Sequence, residues 1–271
     1  MTNHNNKNIK IVAIDMDGTL LNSNHTLSAT NEQTLGKLKQ YGLKILFATG
    51  KTRHSAVPVI EKLNIETPGV YVQGLLIVNG DGSIRYQRTL KRPLAEEVAQ
   101  IAQEMNCSMV AYAGNRIVTN IRDEYTDVFI KYHEPTPEPF GTWRNLFDQT
   151  EVNKFIMVST KERIDKIRPL LETQISGRAT IVQALDYMVE ILPLGASKGD
   201  GVRRVLEDLD IPAAQMLAIG DGENDVEMLR MAGIGVAMGN GMASAKEAAD
   251  YLTGTNDEDG VTQAIERFIF S

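Results

Sequence analysis

The sequence contains little cysteine and no long apolar run, and each shortage excludes a class of protein. Its 271 residues include one cysteine, Cys107, so no internal disulfide can form, and a packed thiol is favoured over a reactive one. No stretch approaches the roughly 20 uninterrupted apolar residues that span a bilayer. The polar start, residues 1–8, also lacks the apolar segment of a signal peptide. We therefore expect a cytoplasmic protein with no membrane partner.

The sequence has too few basic residues for a typical nucleic-acid-binding protein, and its histidines are too scattered for a metal site. With 28 Lys and Arg against 35 Asp and Glu, the formal net charge is -7, whereas nucleic-acid-binding proteins usually carry a basic face. The four histidines, at positions 4, 25, 54 and 133, show no metal-ligand spacing. We expect no nucleic-acid partner and no histidine metal site. The sequence does not indicate an oligomeric state.

Two separated stretches show the strand, helix, strand alternation that is typical of a parallel sheet. The composition, 42% hydrophobic and 23% charged, suits a folded core with room for a smaller second unit. The first stretch predicts strands over 9–14 and 43–48 around a helix over 28–40, and the second predicts strands over 216–219 and 234–237 with helices over 198–209 and 224–231. Together they predict an α/β core with a Rossmann-like, doubly wound parallel sheet, which gathers ligands at the carboxyl ends of its strands.

The chain between these stretches has a different pattern. Asn79-Gly80-Asp81-Gly82 interrupts two apolar runs and predicts a hairpin turn. Beyond it the pattern predicts helices over 93–105 and 161–174, strands over 108–113, 116–120, 154–159, 180–184 and 187–192, and a proline-rich surface loop over 134–139. We therefore predict core domain over 1–83, an inserted α+β domain over 84–192, and core domain again over 193–271.

Asp15 and Asp17 lie directly after the first predicted strand. Both carboxylates can reach one pocket only if the chain turns there, and Gly18 makes such a turn easier. Alone, this pattern favours an ordinary Asx turn or a loose cation site over a catalytic pair. Its interpretation therefore depends on the other polar groups at the strand ends.

Three further segments place polar groups at predicted strand or helix ends. Thr49 and Gly50 offer a hydroxyl and open backbone N–H groups to an anion after the second strand. Lys198 stands at a predicted helix start, although a lysine there is usually solvated. Residues 220–225 (GDGEND) offer acidic and amide oxygens suited to a hard cation, and they also suit a capped helix.

In combination these segments resemble the motifs of the haloacid dehalogenase superfamily, and specifically its Cof-type phosphatases. Residues 15–20 (DMDGTL), 48–50 (ATG), 198–199 (KG) and 220–225 (GDGEND) match the four motifs in order. The resemblance covers essentially the whole chain after its polar start, and it implies that the α+β insert is a cap of the C2 type. The spacing agrees, because residues 21–48 are taken up by a loop, a helix and a strand. No domain fits between the first two motifs.

The resemblance also implies a catalytic mechanism. Asp15 would attack phosphorus and form an aspartyl-phosphate, while Asp17 would protonate the leaving group and then activate water. Mg²⁺ would be held by the Asp15 side chain, the Asp17 backbone carbonyl and Asp221. Asp225 would support these ligands without binding the ion directly.

The transferring phosphoryl group would be bound by other residues of the motifs. The resemblance assigns this role to Thr49, Gly50 and Lys198, with Asn224 as a further candidate. Lys51 departs from the arginine that is frequent after Thr-Gly, and a lysine cannot make the same bidentate contact.

We therefore expect a magnesium-dependent phosphatase that acts on phosphomonoesters of small metabolites. A phosphotransferase using the same intermediate and a non-catalytic sensor of phosphorylated ligands are the alternatives. Sugar phosphates, a phosphorylated flavin precursor and pyridoxal phosphate are all compatible with the resemblance, and the cap sequence does not select among them.

Overall fold

The computed structural model describes residues 8–271, except for the side chain of Ala184. The expectations for His4 and for most of the polar start therefore lie outside the described residues. Within the described range, none of the helices has the length and apolar character needed to cross a membrane. The chain divides into two compact units. The core unit contains the residues up to Gly50, Ala56–Arg85 and Ser197–Ser271, and the inserted unit contains Lys51–Ser55 and Tyr86–Ala196.

The described residues form short strands and helices along the whole chain. The strands are β1 (Ile11–Ile14), β2 (Lys44–Phe47), β3 (Gly69–Tyr71), β4 (Leu76–Val78), β5 (Ile84–Gln87), β6 (Ser108–Ala113), β7 (Arg116–Thr119), β8 (Glu138–Pro139), β9 (Lys154–Val158), β10 (Ala179–Leu185), β11 (Met188–Pro193), β12 (Met216–Gly220), β13 (Ile234–Ala237) and β14 (Tyr251–Leu252). The α-helices are α1 (Ala29–Gln40), α2 (Val57–Leu63), α3 (Arg92–Glu104), α4 (Val128–Lys131), α5 (Trp143–Phe147), α6 (Lys161–Gln174), α7 (Lys198–Asp208), α8 (Val226–Met231), α9 (Ala243–Ala248) and α10 (Gly260–Ile265). Single 3₁₀ turns include Arg53–Ala56, Val72–Gly74 and Glu223–Asp225.

The core unit is built on a parallel sheet with strand order β14-β13-β12-β1-β2. Every residue of β1 and of β12 is buried, which explains why both strands are continuous apolar runs in the sequence. Strand β1 pairs with β2 on one side and with β12 on the other, so the direction of winding reverses at β1. Such a reversal opens a crevice at the carboxyl ends of the two central strands. The predicted doubly wound α/β core is confirmed.

A second, three-stranded sheet of order β3-β4-β5 contains the predicted hairpin. Its turn is closed by the Asn79 N–H, which donates to the Ser83 carbonyl at 2.9 Å, and by the Gly82 N–H, which donates to the Asn79 carbonyl at 2.9 Å. No sequence pattern predicted β3 or α2. Both are short, with three and seven residues, so they contain too few periods of the hydrophobic pattern to be recognised.

The inserted unit is an α+β structure, as predicted. Its six-stranded sheet has the order β10-β11-β9-β6-β7-β8, and all its pairs are antiparallel except β7 with β8. The buried faces of α3 and α6, which include Val98 and Ile164, belong to one apolar cluster with Met109 and Phe155 of the sheet. Part of the predicted proline-rich loop is instead strand β8, because an edge position tolerates Pro139.

Candidate active site

Asp15 directly follows β1 at the crevice of the core sheet. Its backbone N–H donates to the Ile219 carbonyl of β12 at 3.0 Å and so extends the parallel ladder by one residue. The residue is only 5% exposed. Burial raises the pKa of this carboxyl well above its usual value, because a buried carboxylate loses its water. The ammonium of Lys198 lowers this pKa, while the carboxylates of Asp225 and Asp221 raise it further.

Lys198 is the first residue of α7 and is 1% exposed. The helix starts here because Ser197 caps it, with the Ser197 hydroxyl accepting a hydrogen bond from the Asp200 N–H at 3.0 Å. Lys198 Nζ lies 2.7 Å from Asp15 Oδ1 and 2.6 Å from Asp225 Oδ1. Burial lowers the pKa of this ammonium, but the two carboxylates outweigh burial and leave the pKa above its usual value. The Lys198 side chain therefore lies between two buried carboxylates that favour its charged form.

Asp221 and Asp225 lie in the turn after β12. Asp225 Oδ2 accepts hydrogen bonds from the backbone N–H groups of Asp221, at 3.0 Å, and of Gly222, at 2.9 Å. Since its other oxygen receives Lys198, both oxygens of Asp225 are engaged by protein donors. Asp221 Oδ1 accepts one hydrogen bond, from the Thr19 hydroxyl at 3.0 Å. Asp225 thus holds the turn that presents Asp221.

The carboxylates of Asp15, Asp221 and Asp225 form a cluster that fits a hard divalent cation. Each offers one oxygen, and these atoms lie within 4.8 Å of one another. Burial also raises the pKa of Asp221, and the nearby charge of Asp225 raises it further. Crowded carboxylates with raised pKa values are stabilised in their ionised form by a cation, and oxygen ligands are those that Mg²⁺ and Ca²⁺ prefer. Asp15 and Asp221 suit direct ligation better than Asp225, whose oxygens are both occupied.

Asp17 lies on the turn after β1, beside a histidine. Its Oδ1 is 3.2 Å from His25 Nδ1, a neighbour to which the sequence analysis gave no role. Gly18 has a φ of +74°, and a Cβ at this position would lie 2.4 Å from Asp221 Oδ2. The Gly18 carbonyl accepts a hydrogen bond from Asn240 Nδ2 at 2.7 Å. Only glycine allows the turn after β1 to pass this close to Asp221.

Thr49 and Gly50 follow β2 on the other side of β1. The Thr49 N–H donates to the Val70 carbonyl at 2.9 Å, and the side chain is buried. A Cβ at Gly50 would lie 2.9 Å from Gln73 Nε2, while Gln73 Oε1 accepts a hydrogen bond from Asn224 Nδ2 at 3.2 Å. Gln73, to which no sequence pattern gave a role, therefore lies between Gly50 and Asn224, two residues that the family resemblance assigns to phosphate binding.

The core unit brings most of the sequence-predicted site residues together. Hydrogen bonds join Asp15, Lys198, Asp225 and Asp221, and Asn224 is linked through Gln73 to the segment of Thr49 and Gly50. Lys51 belongs to the short segment that clusters with the inserted unit. Gln73 gave little signal in the sequence, because it lies inside an apolar run over 69–78 where only the following glycine marks a break.

Comparison with known proteins decides the family. The sequence profile of the family described as haloacid dehalogenase-like hydrolase matches residues 12–265. The chain belongs to this family. A crystal structure of a haloacid dehalogenase-like hydrolase from Bacteroides thetaiotaomicron superposes with a TM-score of 0.87 and 31% identity, covering 96% of this chain and 100% of that one. The predicted superfamily and the predicted fold class are thereby confirmed.

Two curated relatives differ in how much of their length this hydrolase covers. The "5-amino-6-(5-phospho-D-ribitylamino)uracil phosphatase YitU" of Bacillus subtilis is 26% identical, over 95% of this chain and 97% of the relative. The "Endoribonuclease YBEY, chloroplastic" of Arabidopsis thaliana is 36% identical over 94% of this chain. This hydrolase spans only 46% of the Arabidopsis protein. The prediction of an enzyme of the phosphoric monoester hydrolase class is confirmed by the family and its phosphatase members.

Proposed function

We propose that this hydrolase is a magnesium-dependent phosphatase that cleaves phosphomonoesters of small metabolites through an aspartyl-phosphate on Asp15. The observation that carries the proposal is the contact of Lys198 Nζ with Asp15 Oδ1, at 2.7 Å, beside the carboxylate cluster with Asp221. A lysine so placed can hold a phosphoryl oxygen next to the nucleophile. An ordinary structural ion pair does not need a third carboxylate in the same crevice.

In the proposed first step, a carboxylate oxygen of Asp15 attacks phosphorus. The bond from phosphorus to the ester oxygen breaks, and Asp17 gives its proton to the departing alkoxide. In the second step the ionised Asp17 takes a proton from water, whose oxygen attacks the same phosphorus and releases inorganic phosphate from Asp15. The Asp17 side chain is 31% exposed, so water can reach it, and His25 Nδ1 lies 3.2 Å from its Oδ1.

We assign the metal site to the Asp15 side chain, the Asp17 backbone carbonyl and Asp221. Bound Mg²⁺ would supply charge neutralisation for the phosphoryl group beside these carboxylates. Asp225 orients Asp221 through two backbone N–H groups and shares Lys198 with Asp15. Its role in the proposal is to hold the metal-binding turn and the lysine in position.

Phosphoryl oxygens are assigned to donors on three segments of the core unit. Lys198 supplies the ammonium, Thr49 a hydroxyl, Gly50 a backbone N–H and Asn224 a side-chain amide. Fixed donors of this kind stabilise the charge that spreads over the oxygens in the transition state, and they do so without reorganisation. Thr49 and Lys198 are buried, so water competes less for these two donors.

The substrate class is a small phosphorylated metabolite. The Bacillus subtilis relative is named for one such compound and matches over nearly its whole length. We propose that residues 84–192 act as the substrate-selecting cap, and that the enzyme works in the cytoplasm without nucleic-acid or membrane partners. The endoribonuclease name of the Arabidopsis relative does not enter the proposal, since more than half of that protein lies outside the match.

The test uses the purified protein and p-nitrophenyl phosphate, a generic aryl ester. We expect turnover with added Mg²⁺ and none after chelation by EDTA. Asp15→Asn should lose turnover by at least about 10³-fold, because an amide is not a competent nucleophile. Asp165→Asn, at an exposed carboxylate on α6, is the matched control and should behave like wild type. Full activity of folded Asp15→Asn would refute the assignment of the nucleophile.

A further inference from the structure

Gln73 is a polar side chain that the proposed mechanism does not use, although it touches two of the proposed phosphate-binding segments. Its Oε1 accepts a hydrogen bond from Asn224 Nδ2 at 3.2 Å. Its Nε2 lies 2.9 Å from the point where a Cβ of Gly50 would be. One amide therefore spans from the turn after β2 to the turn after β12.

The backbone that carries Gln73 has an unusual conformation. Val72, Gln73 and Gly74 have φ values of +52°, +58° and +85°. The left-handed region is rare for residues other than glycine, and it is a genuine outlier for a β-branched residue such as Val72. Strained backbone of this kind persists only where the surroundings impose it, and it concentrates at functional sites.

The strained segment contacts two of the segments that carry proposed phosphate-binding residues. The Gln73 N–H donates to the Thr49 carbonyl at 3.3 Å. At Gly74 a Cβ would lie 1.9 Å from the carbonyl oxygen of Ser197, the residue that caps α7 directly before Lys198. The segment Val72–Gly74 is thus packed against both the Thr49 backbone and the start of α7. Gln73 keeps a fixed position relative to the groups that would hold phosphate.

The polarity of the amide determines what Gln73 can do there. Because Oε1 faces the Asn224 amide, the two N–H bonds of Nε2 are directed away from that donor, on the side near Gly50. An N–H donor beside Gly50, a residue with no side chain, suits an anionic oxygen. The bond to Oε1 also uses one N–H of Asn224 and fixes the plane of that amide, which leaves its second N–H for the same anion.

We propose that Gln73 is a further phosphate-binding residue of this enzyme, which donates from Nε2 to a phosphoryl oxygen at Gly50 and orients Asn224 through Oε1. This inference rests on the proposed phosphatase function. The ligand that it concerns is the phosphoryl group common to all substrates. Gln73 would therefore affect every substrate alike and would not select among leaving groups.

Two variants separate the donation from Nε2 to phosphate from the orientation of Asn224 by Oε1. Gln73→Leu has a side chain of similar size but removes both the observed hydrogen bond with Asn224 and the proposed hydrogen bond to phosphate. Gln73→Glu keeps an acceptor for Asn224, but it removes the donor and places a negative charge beside Gly50. Gln100→Leu, at an exposed glutamine of α3 whose amide bonds Glu104, is the matched control.

The measurements are the Kd of inorganic phosphate in the presence of Mg²⁺, by calorimetry, and kcat and KM with p-nitrophenyl phosphate. For Gln73→Leu we expect phosphate affinity and kcat/KM to fall by about 10- to 100-fold, the usual effect of losing a hydrogen bond to a charged group. Gln73→Glu should lose more than Gln73→Leu because of charge repulsion. Gln100→Leu should stay within about twofold of wild type.

Combining Gln73→Leu with Asn224→Ala tests whether Gln73 donates by itself. The double variant should bind phosphate more weakly than Asn224→Ala alone. Equal affinity of the two would overturn direct donation, because Gln73 would then act only through Asn224. Folded Gln73 variants with wild-type affinity and kinetics would overturn the whole inference while leaving the phosphatase intact. A wild-type protein that neither cleaves the ester nor binds phosphate would instead overturn the proposed function, and with it the phosphate pocket.

Discussion

Lys198 Nζ donates to Asp15 Oδ1 at 2.7 Å, and it lies 2.6 Å from Asp225 Oδ1 in a position where the lysine is only 1% exposed. Moving an ammonium out of water is costly, and the cost is offset only when partners satisfy its charge and its donors. Here two buried carboxylates supply that compensation. The same lysine therefore has a structural effect and a proposed catalytic one, and the two can be separated by experiment.

Replacement of Lys198 by methionine should lower both activity and stability. Asp15 and Asp225 would lose their shared cation, and breaking a buried pair by removing one partner costs about 3–5 kcal/mol. Loss of a donor to the phosphoryl group should also reduce kcat/KM by at least about 10²-fold. Urea denaturation measures the first effect and steady-state hydrolysis the second.

Lys166→Met, at an exposed position of α6, is the control for removing a lysine. It should change neither the free energy of unfolding nor kcat/KM appreciably. Lys198→Met with wild-type stability would show that the ion pairs contribute little to folding. Retained activity of the same variant at normal stability would contradict the phosphoryl-binding role of Lys198.

The different hydrogen bonds of Asp221 and Asp225 predict that replacing each aspartate will change the Mg²⁺ requirement of the enzyme to a different extent. Asp221 Oδ1 accepts a hydrogen bond from the Thr19 hydroxyl, whereas both oxygens of Asp225 accept from an ammonium or from backbone N–H groups. Asp221→Asn should raise the Mg²⁺ concentration for half-maximal activity by more than about 100-fold, as loss of a direct ligand would. For Asp225→Asn we expect a smaller rise, of about 10- to 100-fold, because groups that orient metal ligands have effects of this size.

Thermal unfolding distinguishes these aspartates further. Asp225→Asn should lower the Tm without metal, since an amide cannot accept all three hydrogen bonds that Asp225 receives. Asp221→Asn should leave the metal-free Tm close to wild type. If Asp225→Asn shows the larger loss of Mg²⁺ affinity with an unchanged Tm, the assigned roles are reversed.

Local sequence patterns predicted the parts of the site that lie at the ends of regular elements. Asp15, Thr49 and Asp221 each follow a buried strand, and the three strands β1, β2 and β12 are neighbours in the parallel sheet. A turn after an apolar run is a local feature, so sequence reveals it. The parallel arrangement then brings the three ends together without further information.

Other parts of the site depend on tertiary contacts and left no local signal. The left-handed conformation of Val72 and Gln73 opposes their intrinsic preferences, and the next residue, Gly74, lies against Ser197, far along the chain. Outside the candidate site, in the inserted unit, Glu134 likewise accepts hydrogen bonds from Thr52 and Tyr112, and the contact with Thr52 spans 82 residues. Periodicity and spacing describe neighbours in sequence, and they cannot show such pairs.

Gly74 should tolerate no side chain. A Cβ there would lie 1.9 Å from the Ser197 carbonyl oxygen, and φ is +85°. Gly74→Ala should therefore destabilise the protein by more than about 3 kcal/mol, through both steric overlap and backbone strain. Gly177→Ala is the matched control, because Gly177 has a φ of +68° with no atom near its Cβ position. It should cost about 1 kcal/mol from backbone strain alone.

Comparison of the two glycine variants by urea denaturation isolates the contact with Ser197. Both variants add a methyl group at a positive φ, but only Gly74→Ala places it against Ser197. The difference between their losses in free energy of unfolding is therefore the cost of that steric overlap. Equal destabilisation would show that the close approach to Ser197 can relax at little cost. The packing would then not be what holds Gln73 in its strained conformation.

Cys107, the chain's single cysteine, should react slowly in the folded protein. Its Sγ lies 3.5 Å from the carbonyl oxygens of Ser108 and Val158, and burial raises the pKa of the thiol from 9.0 to about 11, against a smaller lowering by Arg163. Only the thiolate is nucleophilic. At pH 8 we therefore expect labelling by Ellman's reagent to be about 100-fold slower in the native protein than in urea.

The pH dependence of this labelling tests whether the raised pKa of the Cys107 thiol causes the slow reaction. The native rate should rise about tenfold per pH unit until the pH approaches the raised pKa, since the thiolate fraction grows in that proportion. Because the unfolded chain loses its thiol proton first, the stability that this group contributes should fall as the pH rises from about 9 to about 11. Cys107→Ser should abolish labelling and remove this part of the pH dependence. Fast native labelling at pH 7 would show instead that Cys107 is an accessible, reactive thiol.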